Sequence, residues 1–463
     1  MLFYTVMKPL VQVALRVFFR QLEVRNPKRL QVPGPLLIVG NHPNTLMDPL
    51  VVAVNRRDPI AFLAKSTFFQ NPILKAIMES GNSIPIYRRQ DVETGAEKLT
   101  PEQLAAQNEA IFGRCYDYFD RRGTIMIFPE GTSVQERRLR PLKTGAARIA
   151  LGAEARRNFQ MGLQILPLGI NYFDPQRFRS DAFLNPGPTI RVADYADLYR
   201  QDPEAAADAL TEEIRQRLEV RLVITRDAAE DELSQQVERT FGSHLNPDDD
   251  PTTLYDNFQL SRTVQQGILY FEQHAPARLA EVREQLSAYL SELRQLGLTD
   301  EALESGRQRP GTRLSRAAKA TLRLVLGFPV YLYGAINNYL PYKLPSMVAR
   351  RATKDAEFVA PIMLVTGMLT FSLAYVLQTM LVHHFTQDWR WTTLYALSLA
   401  PTGFYALSYW NNLETRVHRL RALRLFRREP ARTAGLLRQR GHILQLLGEA
   451  RAAYLAARTA QRA

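Results

Sequence analysis

Between Pro361 and Val382 the chain runs for 22 residues without a charged side chain. A helix needs about 20 apolar residues to cross a bilayer. Such a run belongs either in a membrane or in the interior of a large helical core. A second run of similar length, Trp391 to Trp410, carries tryptophans at both ends, where a headgroup belt would hold them. The linker His383–Arg390 is short, so the two runs are expected to form a transmembrane helical hairpin. The alternative is a buried helical pair in a soluble fold. Arg350, Arg351 and Lys354 precede the hairpin, and Arg416, Arg419, Arg421, Arg424, Arg427 and Arg428 follow it. That distribution places both ends on the cytoplasmic side. Leu322 to Leu340 is interrupted by Pro329, Asn337 and Asn338 and is expected to lie in or dip into the interface. Residues 316–410 therefore read as a membrane region, with spans at about 361–382 and 391–410.

The rest of the chain divides by pattern. Residues 1–30 open on an apolar stretch with Lys8, Arg16 and Arg20 interspersed and no cleavage-site pattern. Lys8-Pro9 interrupts the apolar run, so a span is not expected, and it reads as an amphipathic helix lying on a membrane surface; an ordinary helix packed on the neighbouring domain is the alternative. Residues 31–200 alternate short apolar runs with helical stretches. Pro35–Gly40, Thr124–Phe128 and Leu163–Leu168 are expected strands, with helices over Pro101–Phe119 and Thr144–Ala155. This is an α/β pattern that sets chemistry at strand ends. Residues 201–315 are rich in Ala, Glu, Gln, Leu and Arg and are expected to be a helical insert without chemistry of its own. Residues 411–463 form a basic helical tail with 12 arginines and 3 acidic residues.

The formal net charge is +13. A basic chain can meet nucleic acid, an anionic membrane or a phosphorylated substrate. The tail follows an expected span directly, which favours lipid headgroups, and it lacks the interleaved aromatics that stack on bases. Cys115 is the one cysteine, so an internal disulfide and a cysteine zinc site are both excluded.

Four short constellations carry chemistry. Asn41-His42-Pro43-Asn44-Thr45-Leu46-Met47-Asp48 follows an expected strand. A histidine there can take a proton from an alcohol near neutral pH, and a carboxylate on its other ring nitrogen stabilises the imidazolium. Phe128-Pro129-Glu130-Gly131-Thr132-Ser133 follows another strand; Glu130 and Thr132 can bond a polyol or backbone, and Gly131 allows close main-chain approach. Gly81 to Arg89 ends in two arginines that suit an oxyanion. Leu142-Lys143-Thr144-Gly145 enters a helix whose N-terminus and lysine can attract an anion.

In this order the four resemble the motifs of the glycerol-phosphate acyltransferase superfamily, over residues 36–190. The match includes Asn41-His42…Asp48, Gly81…Arg88, a complete Phe-Pro-Glu-Gly-Thr at 128–132, and Ile165-Leu166-Pro167-Leu168. Five residues rather than four separate His42 from Asp48. That form resembles the fungal-type branch that acylates glycerol 3-phosphate or dihydroxyacetone phosphate, whose members also carry a C-terminal extension with membrane segments. The resemblance implies an α/β catalytic domain in which His42 is the general base and Asp48 its orienting partner. It further implies that Asn41, Arg88, Glu130, Gly131, Thr132 and Lys143 bind substrate. The expected donor is acyl-CoA or acyl carrier protein, the acceptor a glycerol phosphate, and neither metal nor cofactor is called for. Membrane lipids are the expected surroundings, in the cytoplasmic (inner) membrane with the catalytic domain facing the cytoplasm. A lysophosphatidate or lysophospholipid acyltransferase and a non-catalytic lipid-binding scaffold remain as alternatives.

Overall fold

The computed structural model describes residues 2–87, 100–245, 253–305 and 313–460. The chain divides into two compact units, one of residues 1–225, 253–258 and 349–364, the other of 226–252, 259–348 and 365–463.

The first unit is built on an eight-stranded sheet. Its strands are β1 (Gln21–Val24), β2 (Leu36–Gly40), β3 (Ile60–Lys65), β4 (Ser83–Ile86), β5 (Thr124–Ile127), β6 (Gln164–Tyr172), β7 (Asp181–Pro186) and β8 (Ile190–Arg191). The order is β1-β7-β6-β2-β5-β3-β4, with β8 also beside β6. All neighbours are parallel except β7 and β8 against β6. Each residue of β2 is buried, as a central parallel strand covered on both faces requires. The expected strands at 35–40, 124–128 and 163–168 all lie in the middle of this sheet.

The helices expected at 101–119 and 144–155 are Pro101–Asp120 and Gly145–Arg156. The first opens on a capping box between Thr100 and Gln103. The helix Pro203–Glu219, grouped by sequence with the insert, instead turns Ala206, Ala207, Leu210, Ile214 and Leu218 into the same core as β2 and β5. The expected N-terminal helix runs from Leu2 to Phe18 with Pro9 inside it. Leu15 and Phe18 are buried against this unit, and Lys8 donates to the carbonyls of Arg56 and Arg57. Val6, Leu10 and Val13 remain exposed, so the helix is packed along one side and apolar on another.

The second unit contains two kinds of helix packing. Ala228–Leu245, Pro276–Leu296, Asp300–Ser305 and Pro430–Ala460 share a leucine-rich core that includes Val237, Phe241, Leu286, Leu293, Leu436 and Ile443. The tail is part of this bundle: buried Arg440 donates to both oxygens of Asp300, at 2.8 and 3.0 Å, and to Glu304 at 3.1 Å. The helices Arg313–Ala352, Ala356–Thr386 and Trp389–Arg428 are patterned differently. Gly327, Gly334, Asn338, Pro341 and Pro345 line the buried side of the first, at helical spacing. Leu326, Ile336, Leu340, Leu369, Leu373, Met380, Leu394 and Leu397 face outward. Asn338 donates to the carbonyls of Gly334 and Leu399 and accepts from the Tyr375 hydroxyl at 2.7 Å.

Among the described residues, Ala356–Thr386 is the one helix long and apolar enough to cross a membrane by length and composition. The expected second span lies inside the 40-residue helix Trp389–Arg428, where threonines, serines and tyrosines lower the mean hydropathy. The expected linker shrinks to Gln387 and Asp388, with Asp388 capping the next helix through the Arg390 amide. The helix does not end at Trp410 but continues through the arginines to Arg428.

Among the described residues, Arg56 is the largest fully buried side chain. Its guanidinium gathers the carbonyls of Leu30 and Val32 and the Thr124 hydroxyl at 2.5, 2.8 and 3.0 Å, holding together the chain entering β2 and the start of β5. Arg56→Met should lower stability by about 1.5–3 kcal/mol, the worth of hydrogen bonds to a charged group. A thermal melt of the detergent-solubilised chain measures it.

Candidate active site

The site forms where β2 ends. Asn41 is fixed to the next strand: its amide donates to the Ile170 carbonyl at 2.9 Å and its oxygen accepts the Ile170 N–H at 2.8 Å. Both polar ends of Asn41 are thus spent on backbone, in a side chain that is 9% exposed. His42 follows at the mouth of the sheet, and Asp48 lies in the first turn of the helix Met47–Asn55. His42 Nδ1 is 2.8 Å from Asp48 Oδ2. The five intervening residues are absorbed by a tight turn. Thr45 takes a φ of 39°, Met47 N–H bonds the Asn44 carbonyl, and Asn44 N–H reaches Asp48 Oδ2 at 2.8 Å. The pair expected from sequence is therefore brought together.

Asp48 is fully buried, while the His42 side chain is 20% exposed. The contact with Asp48 commits Nδ1, so Nε2 is the ring nitrogen positioned to exchange a proton with a bound molecule. The imidazole is also seated: its ring lies on Phe128 at a centroid distance of 3.9 Å and an angle of 8°. The third donor on Asp48 was not anticipated. The hydroxyl of Tyr172, at the end of β6, donates to Asp48 Oδ1 at 2.8 Å. The signal in the sequence was the alternation continuing through Ile170-Asn171-Tyr172 beyond the expected strand end at Leu168.

The segment 128–134 is zipped to the histidine loop. Glu130 Oε1 accepts the His42 N–H at 3.0 Å, and Oε2 accepts the Arg140 N–H at 3.3 Å. The Val134 N–H bonds the His42 carbonyl, and Ser133 Oγ takes the Thr45 N–H at 2.9 Å. Burial pushes the Glu130 carboxyl above its ordinary range, and the two amides pull it back. Gly131 adopts a φ of +73°, a conformation that glycine tolerates. A Cβ there would lie 2.7 Å from Lys143 Nζ, which places that ammonium directly over the turn. Thr132 lies in the same loop, half-buried. Thr45 Oγ1 donates to the Glu357 carbonyl at 2.9 Å, adding residues 349–364 to the unit that holds the site. Arg88 and Arg89 lie outside the described residues. Among the described residues, no cluster of His, Cys, Asp and Glu fits a metal ion.

Residues 21–171 match the family described as Acyltransferase. The chain is 22% identical over 324 residues to glycerol-3-phosphate O-acyltransferase 1 of Saccharomyces cerevisiae, covering 66% of this chain and 42% of that one. It is 35% identical over 112 residues to glycerol-3-phosphate O-acyltransferase 2 of the same yeast, covering 24% and 15%. The chain thus spans less than half the length of these relatives. A solved structure, the 1-acyl-sn-glycerophosphate acyltransferase of Thermotoga maritima, aligns with a TM-score of 0.31 at 16% identity, over 46% of this chain and 80% of that one.

Glu130 separates a clamp from a ligand contact. If its oxygens serve the two amides, Glu130→Gln turns an N–H toward one of them, lowers stability by about 1–3 kcal/mol and loosens the seat of His42. Turnover should then fall while each substrate's KM stays within about twofold. A selective rise in one KM, with the melt unchanged, would assign Glu130 to substrate instead.

Proposed function

From the premise that residues 21–171 are a domain of the Acyltransferase family, we propose that the chain transfers a fatty acyl group to a hydroxyl of glycerol 3-phosphate or dihydroxyacetone phosphate. The donor is acyl-CoA or acyl carrier protein. The observation that carries this reading is His42 Nδ1 at 2.8 Å from a fully buried Asp48 carboxylate, within that domain. His42 Nε2 takes the proton of the acceptor hydroxyl as its oxygen attacks the thioester carbonyl, and returns it to the departing thiolate. Asp48 stabilises the imidazolium between the two events. The yeast relatives named for glycerol 3-phosphate support that acceptor.

Lys143 and Arg88 bind the acceptor phosphate in this reading, and Thr132 and the Gly131 backbone position its hydroxyls. Lys143 is supported by its place over the Gly131 turn, and Arg88 by its position two residues after β4. Glu130 and Asn41 contribute by holding the loop, since their polar atoms engage backbone groups. The helices between Arg313 and Arg428 sit in the cytoplasmic membrane, where small and polar residues pack inward and leucines meet lipid. The catalytic domain works on the cytoplasmic side.

Membranes containing the full chain should acylate glycerol 3-phosphate or dihydroxyacetone phosphate in a radiolabelled panel with several acceptors. His42→Ala should abolish the transfer, and Asp48→Asn should cut it by about 100- to 10,000-fold. Activity confined to lysophosphatidate would replace the acceptor, and full activity of His42→Ala would remove the catalytic assignment. Lys143→Ala should raise the KM for the phosphorylated acceptor about ten- to a hundredfold, the worth of one charged hydrogen bond, with the acyl-donor KM nearly unchanged. Arg88→Ala, assayed alongside, ranks the two cations.

A further inference from the structure

We infer that Tyr172 is a positioning residue for the His42–Asp48 pair, its hydroxyl fixing the Asp48 carboxylate so that Oδ2 faces the imidazole. This rests on the reading of His42 as the general base.

A buried carboxylate has two oxygens to satisfy and one torsion free to turn. Asp48 Oδ2 already receives two donors, the His42 ring and the Asn44 N–H, each at 2.8 Å. Oδ1 receives the Tyr172 hydroxyl, also at 2.8 Å. That bond is the one that ties the Asp48 carboxylate to the sheet rather than to its own loop. Without it, Oδ1 would be an unmet acceptor in a fully buried group, and the carboxylate would turn to share Oδ2's donors.

Tyr172 is suited to this task. Its hydrogen must point at Asp48, because an ionised phenol beside a carboxylate would repel it. Burial, reinforced by Asp48 itself, raises the phenol well above its ordinary range, so the group stays a donor. Its backbone is held in register, since Tyr172 pairs with Ala182 across β6 and β7. Its ring is backed by Phe19, at a centroid distance of 5.9 Å and 22° between planes. Phe19 is 1% exposed and closes the N-terminal helix through its N–H to the Leu15 carbonyl. The aspartate is thus set from one side by its own turn and from the other by the sheet.

The test uses the full chain in its membrane or in detergent. Tyr172→Phe keeps the ring and its stack and deletes one oxygen. It should lower kcat about ten- to a hundredfold with both substrates' KM within about twofold. In an Asp48→Asn background the same change should cost less than about twofold, because the hydroxyl acts through the carboxylate. A kcat within threefold of wild type in Tyr172→Phe, a parallel rise in KM, or full multiplication of the two losses would overturn the inference. Should Tyr172→Phe miss the wild-type melting profile, 4-fluorophenylalanine at position 172 replaces it. That residue fills the place of the hydroxyl with an atom that donates no hydrogen bond to Asp48, so kcat should fall about tenfold or more at constant KM; an unchanged kcat would overturn the inference. His42→Ala is measured beside them: its retention of activity sinks the catalytic reading itself, whereas an inactive His42→Ala with normal Tyr172 variants sinks this inference alone.

Discussion

An ionised carboxylate removed from water costs several kcal/mol unless donors meet its oxygens. Asp48 is such a group, and much of the first unit's local structure supplies its donors. The turn after β2 bends so that the Asn44 amide points inward, the imidazole of His42 closes over Oδ2, and β6 extends to Tyr172 to reach Oδ1. Each donor comes from a different kind of element: a turn, a loop side chain and a strand end. A histidine–aspartate pair built this way is rigid because each element brings a donor to a buried carboxylate, and loosening β6 would leave Oδ1 unmet. Across the 5-residue gap between His42 and Asp48, the turn places a backbone N–H on the carboxylate as well as the ring.

The loop after β5 works in the same currency of satisfied backbone groups. Phe128 is the floor beneath the imidazole, Glu130 accepts one amide from each of two segments, and Ser133 accepts a third from Thr45. A run of residues that reads as substrate contacts is in large part the frame for His42. Preorganisation of this kind lowers the reorganisation needed at the moment of proton transfer. Lys143 Nζ lies over the Gly131 turn of this same loop.

How far the sequence foretold this depends on the distance over which each signal acts. Leu36–Gly40, Thr124–Ile127 and the first half of β6 are legible because complete burial of a parallel strand demands an unbroken apolar run. His42 and Asp48 were found through motif order, not through spacing alone. Asn41 was misleading: an asparagine beside a catalytic histidine reads as a ligand contact, and only the pairing of β2 with β6 shows its partner to be the backbone of Ile170. Tyr172 was missed for the same reason, since its partner lies 124 positions away. The helix Pro203–Glu219 carries an apolar stripe that states it is covered but not by what. The N-terminal helix is legible as one, and Pro9 stands in its middle while Leu15 and Phe18 at its far end are buried.

The helices of the second unit invite a different reading of polarity. In water, a bundle that buries Asn338, Thr392, Gly327 and Gly334 while exposing Leu326, Ile336, Leu369, Leu373 and Leu397 would forgo most of its driving force. In hydrocarbon the balance reverses. Apolar side chains gain nothing by turning inward, backbones gain by close approach at small residues, and polar groups gain partners that lipid lacks. The contacts match the second case: an added Cβ at Gly334 would meet the Thr402 carbonyl, and the Asn338 side chain joins Gly334, Leu399 and Tyr375 in one hydrogen-bonded seam. Helix Arg313–Ala352 takes part in that seam as fully as its two neighbours, although its prolines and asparagines hide it from a hydropathy criterion. In the membrane setting proposed above, the hydrogen-bonded seam joins three helices, the expected hairpin and Arg313–Ala352. Its polar residues record helix association rather than a breach of the apolar rule. The acyl transfer proposed above would make an amphiphile, and a chain that carries its own hydrocarbon-compatible bundle would form that product where it can partition.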